Sequence, residues 1–178
     1  MPWKFLLTIA MLGAALLVAG VTHAQQPQQP NPLDVVPEKM PADIPYGPPI
    51  SLERAQAAIG AAVAESKKRD WKLNIAVVDS GGNLIAFQRM DGAQIASIQI
   101  SEHKARAAAI FRRETKVFEN AMQLGNFHYI ATLDGVIASR GGILLMEGGK
   151  IIGAIGCSGG TGSQDEVVCK AGAAAVSK

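Results

Sequence analysis

The chain has 178 residues, 48% of them hydrophobic, and a formal net charge of +2, the size of one modest globular domain with extensions. So small a basic excess gives no electrostatic case for nucleic acid as a partner, and 5% aromatic residues leave no stacking platform for single strands. The two cysteines, Cys157 and Cys169, are spaced unlike any zinc or haem-attachment motif.

Residues 1–24 read as a cleaved signal peptide. Lys4 supplies the positive start, Phe5 to Gly20 an apolar stretch, and Thr22-His23-Ala24 a small-residue cleavage site. The apolar run of about 16 residues is short of the roughly 20 that a membrane span needs, so no stable span is expected after cleavage. A periplasmic or secreted location follows. Residues 25–49 are rich in Pro and Gln and read as a linker or arm; its last part, from Ile44, is apolar enough to lie along the domain or a neighbouring subunit.

The domain proper is expected over residues 50–178. Ser51 caps a first helix whose apolar face runs through Leu52, Ala55, Ile59, Ala62 and Val63 to about Arg69. Leu73 to Asp79 and Asn83 to Met90 alternate as strands joined by Ser80-Gly81-Gly82, a hairpin. Ala96 to Arg113 has helical composition with a small-residue seam at Ala105, Ala108 and Ala109, which lets a helix approach a sheet closely. Thr115 to Leu124 forms a further helix that ends at Gly125. A second glycine-turned hairpin pairs Ile143 to Met146 with Lys150 to Cys157, and Val136 to Ser139 is a candidate fifth strand. After Cys157 the pattern passes through a glycine-rich turn into helix, with Ser163 and Glu166 spaced as a capping box. That turn lacks phosphate-loop spacing, and Asp165 and Glu166 place negative charge at the helix start, where an anion would be repelled. The order predicts an α+β domain, a layered antiparallel sheet of about five strands covered by helices.

Few residues carry chemistry. His103, Arg106 and Arg113 are expected on one face of the second helix, with Lys104 and Arg112 beside them, a cationic surface suited to a carboxylate-bearing ligand. His128 and Tyr129 sit among apolar neighbours, where a ring nitrogen or phenol can ligate haem iron or simply hydrogen-bond at the rim of a core. Arg89 and Arg140 are candidates for a polar site at the sheet edge. Cys157 and Cys169 form either a bridge between strand and helix, contributing roughly 3 kcal/mol in an oxidising compartment, or two buried thiols. No nucleophile elbow, HExxH or carboxylate pair marks a catalytic centre, so a binding protein is favoured over an enzyme.

Taken together, Ile75 to Asn83, Arg89-Met90-Asp91-Gly92-Ala93, Lys104-Ala105, Gly141-Gly142, Gly153 to Gly159 and Gln164-Asp165-Glu166 resemble the GlcG/HbpS-like family over residues 50–176. The resemblance implies a profilin-like fold with helices on both faces of the sheet, assembled into dimers or larger oligomers. Members include a haem-binding partner of a two-component sensor, the C-terminal domain of a corrinoid adenosyltransferase, and proteins of the glycolate operon. It thereby implies haem or a related tetrapyrrole, held for storage, sensing or protection, and a possible sensor protein as partner. No histidine stands in the first helix, and Ala107 replaces a hydroxyl that a relative offers beside Lys104-Ala105, so His128, His103 and Tyr129 remain the local iron-ligand candidates. The alternatives are an enzyme acting on a small carboxylate such as a 2-hydroxy acid, with Arg89, Arg140 and Lys104 as its anion site, or a signalling adaptor without a ligand.

Overall fold

Alternation in the first strand decides how the domain is layered, because Ile75 and Val77 must face one way while Ala76 and Val78 face the other. In the computed structural model, which describes Asn31 and residues 34–40 and 43–177, both sets are buried. The elements run α1 (Leu52–Lys68), β1 (Asn74–Asp79), β2 (Leu84–Arg89), α2 (Ser97–Ile110), α3 (Lys116–Leu124), a 3-10 helix (His128–Thr132), β3 (Gly142–Glu147), β4 (Lys150–Ser158) and α4 (Gly162–Ala174). The strands form one antiparallel sheet in the order β2-β1-β4-β3. The chain divides into residues 1–38 and 39–178; the expected leader lies outside the described residues.

Each face of the sheet has its own core. Ile75, Val77, Ile155, Cys157, Ile143 and Leu145 pack against Ala55, Ala58, Ile59 and Ala62 of α1 and Val168, Cys169 and Ala173 of α4. On the opposite face Ala76, Val78 and Ala154 pack against Ala105, Ala108 and Ala109 of α2. The register explains how α2 lies so close: Ala76, Gly156 and Gly142 stand in one row across β1, β4 and β3. A Cβ at Gly156 would collide with the Ser101 carbonyl, and one at Gly142 with the Lys104 carbonyl. The helix backbone therefore rests on the strand backbone, and the alanine seam is its counterpart.

The α+β layered class is as the sequence predicts, with four strands. Val136 to Ser139 is irregular, because the Arg140 amide leading into β3 donates to Glu119 Oε2 at 2.7 Å, which ties this segment to α3 instead of to a neighbouring strand. The cap of α4 also differs. Thr161, not Ser163, is the N-cap, with Gln164 completing the box. Glu166 is unavailable to fold back on Ser163 because Lys116, Lys170 and Arg140 engage its carboxylate. Cys157 and Cys169 are bridged, with Cα atoms 5.6 Å apart, both fully buried, so the last strand and last helix are joined covalently.

Residues 43–50 run along the domain. Tyr46 bridges Ile151, the Gly47 and Ile50 amides donate to Ile151 and Ile152 carbonyls, and Ile151 donates to the Pro45 carbonyl. This segment occupies the flank of β4 beyond the end of β1. The Tyr46 hydroxyl lies 3.1 and 2.9 Å from the Ala109 and Ile110 carbonyl oxygens, so it caps the C-terminal end of α2, whose last carbonyls have no intrahelical donor.

Candidate functional site

Helix α2 shows opposite characters on its two sides. Its alanine seam is buried against the sheet, while Gln99, Glu102, His103 and Arg106, spaced i, i+3, i+4 and i+7, line a cleft of about 440 Å³. The far wall comes from the β1–β2 hairpin: Val78 and Leu84 are apolar, and Gly82 and Asn83 form the turn. Gly82 has φ +82° and abuts the Arg106 and Ile110 side chains, so the turn and the helix are in direct contact. His103 and Arg106 are exposed and present a nitrogen donor and a cation one turn apart, within the 300–1,000 Å³ range of small-molecule sites.

Arg113 does not share this face. The helix ends at Ile110, and Arg112 takes φ +55°, so the chain turns away before Arg113. Its guanidinium lies 5.8 Å from the Phe118 ring, in a cleft of about 230 Å³ that it lines with Phe111, Phe127, Tyr129 and Ile130. Tyr129 thus joins Arg113 in a smaller, more aromatic recess. His128 is exposed and is not among the residues of that recess.

Lys104 is buried instead of flanking the cationic surface. Only 1% of its side chain is exposed; Nζ donates to Asp165 Oδ2 at 2.8 Å and to the Cys157 carbonyl at 3.3 Å. Burial pushes the Asp165 carboxyl up, against the opposing pull of Lys104 and the Gly160 and Gly159 amides. Beside this pair Arg140 binds Glu119 at 2.7 Å and Glu166 at 3.4 Å, and Lys116 and Lys170 complete the shell around Glu166 at 3.2 and 2.6 Å. Burial works to raise both glutamates, but Arg140 at Glu119, and Lys170 and Lys116 at Glu166, outweigh it and hold them low. Arg140 and Lys104 accordingly have carboxylate partners inside the protein and offer no open anion site. Arg89 is elsewhere, in a third cleft with Trp71 and Met90. The three cations of the small-carboxylate reading are not assembled.

Among the described residues no group of three His, Cys, Asp or Glu side chains is placed to hold a metal ion, and no helix is long and apolar enough to cross a membrane. Sequence reasoning missed Gln99 and Glu102, although their spacing with His103 and Arg106 is a legible polar stripe. It also missed Trp71, Tyr46 and the pairing of Asp165 with Lys104; those depend on contacts between distant segments.

A family model described as "Haem degrading protein HbpS-like" matches residues 50–174. Protein GlcG of Escherichia coli K12 is 42% identical over 109 residues, 61% of this chain and 81% of GlcG. Among solved structures, Klebsiella pneumoniae protein ORFY superposes with a TM-score of 0.68 at 28% identity, covering 79% of this chain and 96% of that one. A PduOC:heme complex superposes with a TM-score of 0.65 at 24% identity, covering 72% and 95%, and shows the shared fold. With residues 50–174 matched to one family model, more than half of its length, the chain belongs to the HbpS-like family.

Proposed function

We propose that this chain is an exported, homo-oligomeric binding protein for haem or a related tetrapyrrole, with His103 as the iron ligand and Arg106 as the partner of a propionate. The observation that carries this reading is the pairing of His103 with Arg106 in a 440 Å³ cleft walled by Val78 and Leu84. His128, equally exposed, does not line the aromatic recess beside it. The donor set fits the group: a neutral imidazole suits iron, a guanidinium suits a carboxylate, and the apolar wall suits a macrocycle face. Bound haem would supply a redox-active iron; the residues here contribute a nitrogen ligand, a charge and a partly apolar surface. The family description and the haem bound to PduOC support the same ligand class. The leader-like N-terminus and the buried Cys157–Cys169 bridge support export to an oxidising compartment for storage, sensing or protection, and the resemblance to an oligomeric family supports assembly.

The test is a hemin titration followed at the Soret band. Wild-type protein is expected to give a saturable shift that His103→Ala abolishes and His128→Ala leaves intact, with Arg106→Gln weakening the affinity about tenfold, as loss of a charge-assisted pair does. No Soret change in the wild type would overturn the haem reading; loss on His128→Ala alone would move the ligand to the 3-10 helix.

A further inference from the structure

The third cleft, at the other end of β2, plays no part in the reading above. It measures about 430 Å³ and opens between the end of α1 and the β2 terminus. Its inner wall is apolar: Val63 is buried, and Trp71 and Met90 are half-buried and packed against the main core. The ring of Trp71 is held in place from outside the cleft lining. Arg69 lies 5.1 Å from its centroid and is itself anchored to Glu65 at 2.7 Å. Asp70, at φ +52°, makes the left-handed turn that brings Trp71 back under α1.

Above this wall stand donors without partners among the described residues. Arg89 and Lys67 make no side-chain ion pair or hydrogen bond among the described residues, and neither does the Trp71 indole N–H. Lys72 is different: it approaches Asp70 at 3.9 Å and rests its stem on Gly92. The remaining carboxylate in the lining is Asp91, which with Asp70 sets a limit on how much negative charge a ligand can carry. Gln88 also lines an adjoining groove of about 330 Å³ between α1 and β2, so there is room for an extended flat body.

We propose that the Trp71–Arg89 cleft is a second, separate ligand site, selective for a planar aromatic monocarboxylate. A fork of guanidinium donors matches a single carboxylate. The indole plane and the Met90 thioether match an aromatic ring. Asp70 and Asp91 offset two of the three cations Lys67, Lys72 and Arg89, so the lining is left with one net positive charge, which matches a monoanion better than a dianion or a phosphate. The site does not rest on the haem reading, because it shares no lining residue with the His103 cleft.

The test follows the indole N–H cross-peak of Trp71 by NMR in the full-length chain. The sequence has two tryptophans, and a Trp3→Phe variant assigns the peak. Titration with 2-naphthoate is expected to move it saturably, while the neutral isostere 2-naphthamide does so about tenfold more weakly or not at all, and Arg89→Gln weakens naphthoate by about tenfold. Arg89 is exposed and has no ion pair among the described residues, so this variant keeps the wild-type melting temperature. His103→Ala leaves the naphthoate titration unchanged whether or not hemin binds. An unmoved peak, an equal response to the amide, or an Arg89→Gln protein that titrates like wild type would each overturn the proposal.

Discussion

At the scale of single residues, Lys104 carries the clearest lesson. It lies in the same helix as His103 and Arg106, yet a rotation of one position takes it from the open cleft to full burial against Asp165. Replacing it by Met keeps the stem and removes the charge, leaving a desolvated carboxylate and an unpaired Cys157 carbonyl. The expected loss is about 3 kcal/mol, read as a lower urea midpoint with an unchanged slope. Part of that loss should return at low pH. Burial already raises the Asp165 carboxyl, and without Lys104 it rises further, so protonation relieves the isolated charge. A Lys104→Met protein equally stable at neutral pH would show that the pair contributes no net stability. The helical period made the polar stripe readable in the sequence. What it did not contain was the partner, 61 residues further on, and without that partner a lysine beside a histidine looks like surface.

At the scale of elements, the contact of α2 with the sheet depends on a row of missing side chains. Gly156→Ala places a methyl group where the Ser101 carbonyl and Ala105 amide already stand, and the clash is with backbone on both sides, so no rotamer relieves it. The expected destabilisation is about 2 to 3 kcal/mol, measured by denaturant titration, with accelerated amide exchange along α2. A neutral result would mean that α2 can shift away from β4 at no cost. Both hairpins, the first helix with its Ser51 cap and the glycine stop after α3 follow from local rules of periodicity and turn chemistry, and all are seen. The cap of α4 escaped those rules, because Ser163 and Glu166 have the right spacing but Glu166 is drawn into contacts with α3 and the strand entry. Where tertiary charge pairs compete for a side chain, spacing alone does not assign its role.

For the whole molecule, two features set the conditions of stability. The first is the disulfide from β4 to α4, which joins cysteines 12 positions apart in the chain and contributes roughly 3 kcal/mol through the unfolded chain. The second is the Glu119–Arg140–Glu166 cluster. Both carboxyls are held below their ordinary value of 4.5, so their contribution is fully present above that pH and is lost as the pH falls through the lowered values. Glu119→Gln should therefore cost about 1 kcal/mol at neutral pH and flatten the acid limb of the stability curve below pH 4.5, as followed by thermal melts across pH. An acid limb identical to that of the wild type would remove the cluster from this role. The class of fold was legible because two glycine hairpins and an alanine seam leave few arrangements. The location of the ligand clefts was not, since each is formed by segments that meet only after the sheet is built.

Tyr46 has a practical bearing on where this domain begins. The family match starts at residue 50, but the tyrosine whose hydroxyl caps α2 and the Gly47 amide that flanks β4 come earlier. A recombinant fragment trimmed to residue 50 would strip the Tyr46 donor from the Ile110 carbonyl, at the end of the very helix that presents His103 and Arg106, and its ligand affinity would reflect fraying introduced by the trimming.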